Sequence, residues 1–174
     1  MELREAIETR RSIRKYTEQE VDIDLVKEII KEGTHSPSGH NRQPWMFKIL
    51  TKQEKDEIAD TMYEKYKDVV GHTAPHTASV IKEIPLLVCV YLNNGDSNER
   101  DIDILSIGAI IDEIILLATE KGLGTLWIAN TNLIKEEIRK ITNVELETIS
   151  CIGFGYKDQD PHKRPRKDIN EVLL

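Results

Sequence analysis

Residues 101–121 constrain the fold most. Ile102, Ile104, Leu105, Ile107, Ile110, Ile111, Ile114, Ile115, Leu116 and Leu117 leave a helix with almost no polar face. A helix that is apolar nearly all round must be covered, by the domain core or by a partner subunit. Gly122 marks its end. The run IPLLVCVYL at 84–92 adds a second constraint. Its unbroken apolar character predicts a strand buried on both faces. A chain of 174 residues is long enough for a real core and is expected to form one domain, 1–174.

The remaining elements follow from periodicity and punctuation. Residues 2–10 read as a short helix with Leu3, Ala6 and Ile7 at helical spacing. Asp22 or Asp24 caps a second helix to about residue 33, with Leu25, Val26, Ile29 and Ile30 as its apolar stripe. THSPSGHNRQP at 34–44 is a polar loop, and 45–51 a strand. A helix over 53–69 places Ile58, Met62, Tyr66 and Val69 roughly on one side. The stretch 71–83, with Pro75 and two histidines, is ambiguous, and 93–100 is an exposed loop. A strand at 123–128, a helix at 132–141 and a strand at 148–154 precede a charged arm at about 156–174. Helices and strands alternate without a strict βαβ rhythm, which predicts an α+β, three-layered domain around a mixed or antiparallel sheet.

Charge is concentrated on an acidic chain. The net charge is -7, yet Arg10, Arg11, Arg14 and Lys15 cluster around Ser12, and Lys163, Arg164, Arg166 and Lys167 cluster near the other end. Local cation on an acidic body points to an anion site rather than a nucleic-acid surface. Aromatics at 5% give little for base stacking, so no nucleic-acid partner is expected. Planar guanidinium groups favour phosphate. No run reaches transmembrane length, and MELREAIETR holds no apolar signal core, so a cytoplasmic protein without a membrane partner is expected. Cys89 and Cys151 sit in apolar runs and read as reduced, buried and structural.

No acid, base or nucleophile stands out. The histidines lack a completing ligand set, there is no GxSxG, and GLGTLW at 122–127 runs from helix to strand, opposite to a dinucleotide fingerprint. Neither a metal nor a catalytic side chain is therefore expected. Ser36, Ser38, Asn41, Arg42 and Gln43, next to Pro44 and Trp45, instead suit a heteroaromatic ligand whose edge needs donors and acceptors. A phosphate grip beside an amide-rich loop fits a protein whose cofactor carries the chemistry.

With these residues in place, the chain resembles the nitroreductase family of FMN-dependent oxidoreductases in its short form. RRSIRKY at 10–16, SPSGHNRQPW at 36–45, SIGAIIDEIILLATEKGLGTLWI at 106–128 and GFGYKDQDPHKRPRKDINEVL at 153–173 occur in family order. The resemblance implies a central, mostly antiparallel sheet flanked by helices, with the long helix at a homodimer interface. It implies that Arg10, Ser12, Arg164 and Arg166 hold the FMN phosphate, with Arg11 in the same motif and Arg14 near the flavin pyrimidine edge. Pro37, Ser38, Asn41 and Gln43 would approach the flavin from the other subunit. Trp127, Ala129 and Asn130 would pass the flavin ring, Ala129 following a strand after which the family usually has a glycine. The implied activity is reduction of FMN by NADH or NADPH and then of a small-molecule acceptor, nitroaromatic or quinone in type, by a ping-pong route. A flavin-binding or redox-sensing protein without turnover is the alternative on the same fold.

Overall fold

The apolar run at 84–92 becomes a strand buried along its whole length, with a helical layer on each face. The computed structural model describes residues 1–93, 95 and 98–174; Asn94, Asp96 and Ser97, in the expected 93–100 loop, lie outside the described residues. In chain order the elements are α1 (Leu3–Thr9), α2 (Ile23–Gly33), β1 (Trp45–Ile49), α3 (Lys52–Tyr66), α4 (Ala74–Glu83), β2 (Leu86–Leu92), α5 (Arg100–Glu120), β3 (Gly124–Ile128), α6 (Lys135–Thr142) and β4 (Glu147–Gly155). Short 3-10 turns occupy Gly39–Asn41, Ala129–Ile134 and Ile169–Glu171.

The sheet has the order β1-β2-β4-β3, with every neighbouring pair antiparallel. The two-residue period of a strand sorts β2 between the layers. Leu86, Val88, Val90 and Leu92 join Val26 and Ile29 of α2 and Ile107, Ile110, Ile111 and Ile114 of α5. Leu87, Cys89 and Tyr91 join Ile58 and Met62 of α3, Ile81 of α4 and Ile138 of α6. This two-sided cover explains why the strand carries no polar alternation. Cys89 and Cys151 are register partners on the inner strands, both buried, with their sulfurs 3.1 Å apart.

Local signals set most boundaries. The Asp22 carboxylate accepts the Asp24 N–H at 2.9 Å and opens α2. Thr51 and Glu54 form a reciprocal capping box that opens α3. The ambiguous 71–83 stretch is α4, with Pro75 in its first turn where the missing N–H costs nothing. Gly122, at φ 81°, releases the chain from α5 into β3. The helix expected over 132–141 divides into a 3-10 turn and α6. In α1 only Ala6 is buried, while Leu3 and Ile7 face solvent; Val69 lies past the end of α3 and is exposed. The long α5 buries one face, but Ile102 and Leu105 stay exposed, Leu105 at 73%. Among the described residues no helix is long and apolar enough to cross a membrane.

The edge beyond β3 matters most for function. Residues after α1 run extended beside β3, and two glycines permit the close approach. A Cβ on Gly124 would lie 2.8 Å from Ile13 Cγ1, and one on Gly155 would press into the Tyr16 ring. Ile13 is buried in this contact. Gly124→Ala is expected to destabilise the domain by about 1–3 kcal/mol by overpacking, measured by denaturant unfolding. An unchanged midpoint would show that the 12–16 segment gives way freely.

Candidate functional site

The site begins where α1 ends. The Arg10 N–H closes the helix on the Ala6 carbonyl at 2.9 Å. The Arg11 guanidinium folds back and donates from Nη1 to the Glu8 and Arg10 carbonyls at 2.8 and 2.7 Å. These are helix-end carbonyls without helical partners, where a cation is favourable. Ser12 then makes a parallel bridge to Thr125, and the Ile13 N–H donates to the Thr125 carbonyl at 2.9 Å. Tyr16 donates its hydroxyl to the Ile13 carbonyl at 2.7 Å. Burial pushes the Tyr16 phenol well above its usual range, partly opposed by Arg14, so it remains a neutral donor.

The same segment also collects the chain's other end. Tyr16 bridges Lys157, the Thr17 N–H donates to the Tyr156 carbonyl at 2.9 Å, and the Asp158 N–H donates to the Lys15 carbonyl at 3.0 Å. The arm that follows β4 is thereby laid across the first basic run. A cavity of about 450 Å³ results, lined by Arg10, Arg11, Ser12 and Arg14 from one end and Lys163, Arg164 and Arg166 from the other. Glu8 is the one carboxylate in that lining. Among the described residues the Arg10, Arg164 and Arg166 guanidinium groups make no hydrogen bond or ion pair, and Ser12 keeps its hydroxyl unengaged. Converging unpaired cations hold a multiply charged anion.

Arg14 also lines a second cleft of about 200 Å³, with Trp127, Ala129 and Asn130 from the end of β3 and His76 and Thr77 from α4. Trp127 is 43% exposed in a strand whose neighbours are buried. Arg14 thus lines both the basic cavity and the cleft that Trp127 lines. The Asn130 amide does not point to a ligand alone. Its Nδ2 donates to the Thr73 and Thr77 hydroxyls at 3.1 and 3.2 Å, which ties α4 to the cleft. From the sequence His76 counts only among the histidines without a completing ligand set, and Thr77 is not singled out. Pro75 at a helix start was the available signal, because a helix there turns these two side chains toward β3.

Pro37, Ser38, Asn41 and Gln43 line neither cavity in this chain. Their loop sits on the first turns of α5, where Arg42 pairs with Glu99 at 2.6 Å and Asp103 at 2.9 Å. The Ser38 hydroxyl oxygen accepts the Gln43 N–H at 3.0 Å. His40, Asn41 and Gln43 all have positive φ, near 50°. Such backbone is costly outside glycine and concentrates at functional loops.

Comparison with known proteins identifies the family and the fold. A model of the nitroreductase family matches residues 7–156. The chain is 28% identical over its full length to a protein of Methanothermobacter thermautotrophicus provisionally named as an NADH dehydrogenase/NAD(P)H nitroreductase, covering 87% of that protein. It is 24% identical to an iodotyrosine deiodinase of Thermotoga neapolitana, covering 95% of this chain and 92% of that one. Among solved structures, a provisionally named nitroreductase of Desulfovibrio desulfuricans in complex with FMN superposes with a TM-score of 0.86 at 22% identity, covering 100% of this chain and 96% of the other. That last likeness concerns the fold, and it extends from the first helix to the C-terminal arm. The matched region takes in the 10–16 run, the 36–45 loop, α5 and β4, and the chain belongs to the nitroreductase family.

Proposed function

We propose that the protein is an FMN-dependent oxidoreductase that works as a homodimer, with NADH or NADPH as reductant. The observation that carries the reading is the pair of cavities that both have Arg14 in their lining. One end presents unpaired guanidinium groups from both chain termini, which fits a phosphomonoester. The other presents an aromatic wall and backbone at the end of a strand, which fits a planar heterocycle. The relatives named as NAD(P)H nitroreductase and as an FMN complex support the same cofactor and reductant.

In this reading Arg10, Ser12, Arg164 and Arg166 hold the phosphate. Arg11 serves the end of α1, since its Nη1 is committed to two carbonyls there. Arg14 places positive charge in the lining of both phosphate pocket and ring cleft, and so stabilises negative charge that accumulates on the cofactor. Residues 127–130 flank the ring, and α4 bounds the cleft with His76 and Thr77. When bound, FMN supplies hydride acceptance from NADH or NADPH at N5 and then reduction of a nitroaromatic or quinone acceptor in the same cleft, a ping-pong cycle. The protein orients these partners and limits water, and Trp127 offers an apolar face to an aromatic acceptor.

Pro37, Ser38, Asn41 and Gln43 lie outside their own chain's cavities, so a second copy is needed to bring them to the ring. Ile102 and Leu105 on α5, and Ile169, Val172, Leu173 and Leu174 at the end of the arm, are exposed apolar side chains available for that contact. An interface of this kind belongs to the obligate class, above roughly 2,000 Å². Buried, unoxidised Cys89 and Cys151 suit a cytoplasmic setting.

Arg10→Ala and Arg164→Ala are each expected to weaken FMN binding by about 1.5–3 kcal/mol, the loss of a charge-assisted hydrogen bond. Titration of the flavin-free protein with FMN, followed by fluorescence quenching, reads the change. Wild-type affinity in both variants would contradict the phosphate assignment. Sedimentation of the wild-type protein should give a dimer; a monomer that binds FMN fully would contradict the shared site.

A further inference from the structure

The loop between α2 and β1 is held in an unfavourable backbone conformation by a device that makes no contact with either cavity. Within four residues, His40, Asn41 and Gln43 have φ of 52°, 55° and 51°. None is glycine, and each such residue costs of order 1–3 kcal/mol. Arg42 stands between them with ordinary helical φ of -69°. Its Nε donates to Asp103 Oδ1 at 2.9 Å and its Nη1 to Glu99 Oε2 at 2.6 Å. Gly39 completes the anchorage. Its N–H donates to the Ser106 hydroxyl at 3.3 Å, and a Cβ there would lie 2.6 Å from Ile102 Cγ2. The first turns of α5 are in turn fixed to β4 by the Arg100–Glu147 ion pair at 2.9 Å.

Asp103 is fully buried, and its Oδ2 has no partner among the described residues. A buried carboxylate with one oxygen unsatisfied is a poor stabilising element, because its desolvation offsets much of the attraction to arginine. An apolar contact would serve stability at least as well. The pair instead supplies direction. A planar guanidinium held at two edges by Asp103 and Glu99 fixes the backbone on both sides of Arg42, and those neighbours are Asn41 and Gln43.

We propose that Arg42 and Asp103 are positioning residues for the ring end of the cofactor: their partly buried ion pair holds the Asn41 and Gln43 backbone in its strained form and so presents both amide side chains to a flavin held by a second copy. This rests on the FMN reading above. Neither residue touches the cofactor. Removing the anchor lets the loop relax to ordinary φ, and each binding event must then restore the strained form.

Riboflavin, which has the ring and lacks the phosphate, separates the two ends of the ligand. Arg42→Met and Asp103→Asn are expected to weaken riboflavin and FMN binding by the same factor, about tenfold, as lost pre-organisation. They should also alter the visible circular dichroism of bound flavin. Arg42→Lys, which keeps the charge and loses the planar fork, should restore little of the affinity. Arg10→Ala should weaken FMN alone and leave riboflavin unchanged. Asp103→Asn keeps the shape of the side chain and serves where Arg42→Met does not fold; thermal melting of each flavin-free variant confirms the folded state at the titration temperature. A folded anchor variant with wild-type affinity for both ligands and wild-type flavin dichroism, even with a lower melting temperature, would overturn the inference and leave the FMN reading intact. Failure of the wild-type protein to bind either flavin would overturn the reading itself, and the inference with it.

Discussion

The structure depends on one stretch of backbone pairing. Residues 12–17 dock first on Thr125 and then on Tyr156 and Lys157, which ties both ends of the chain to the cavity. A few main-chain hydrogen bonds, made possible by glycine at 124 and 155, carry Arg10, Ser12 and Arg14 past the edge of the sheet. The arm is laid over them by the same pairing. Without it, the basic runs are two solvated patches more than 140 residues apart in the chain. With it, they form one wall.

Electrostatics then follow from placement. The chain as a whole is acidic, and many of its lysines and arginines are spent on surface pairs such as Lys65–Glu137 and Arg139–Glu145. Pairs of that kind contribute little to stability. Among the described residues the Arg10, Arg164 and Arg166 guanidinium groups at the cavity are different in having no protein partner, which keeps their charge for a ligand. Arg42 is the counter-example, a cation taken out of play by a buried carboxylate and used to shape a loop. The layered core supports both arrangements, since β4 carries Gly155 at one end and Glu147, the partner of Arg100, at the other.

Much of this was legible in the residues. The run at 84–92 and the long helix required a covered sheet, and both were found where periodicity put them. The two basic runs announced an anion site, because such charge is unusual on an acidic chain. Ser36, Ser38, Asn41, Arg42 and Gln43 were legible as a polar loop whose groups suit a heteroaromatic edge, but its strain was not. Positive φ at His40, Asn41 and Gln43 accompanies the anchoring of Arg42 on Glu99 and Asp103, partners some sixty residues away in the chain. The pairing of Cys89 with Cys151 was equally invisible, since 62 residues separate them and only strand register places them opposite. For α4, the sequence of 71–83 is ambiguous, whereas the position of Pro75 in the first turn makes it a helix opener. The resemblance puts Asn130 in the stretch passing the ring and names no side-chain partner for it; its amide is tied to Thr73 and Thr77, a contact that depends on α4.

In the proposed function, the two cavities that share Arg14 hold a flavin that cycles between oxidised and reduced forms. The most direct test is the visible absorbance spectrum of the protein with FMN, recorded without oxygen before and after addition of NADH or NADPH. The account predicts flavin bands that bleach on addition and return when a quinone or nitroaromatic is supplied. Flavin bands that persist with both nicotinamides would contradict turnover and leave a flavin-binding protein; no association with FMN at all would contradict the site.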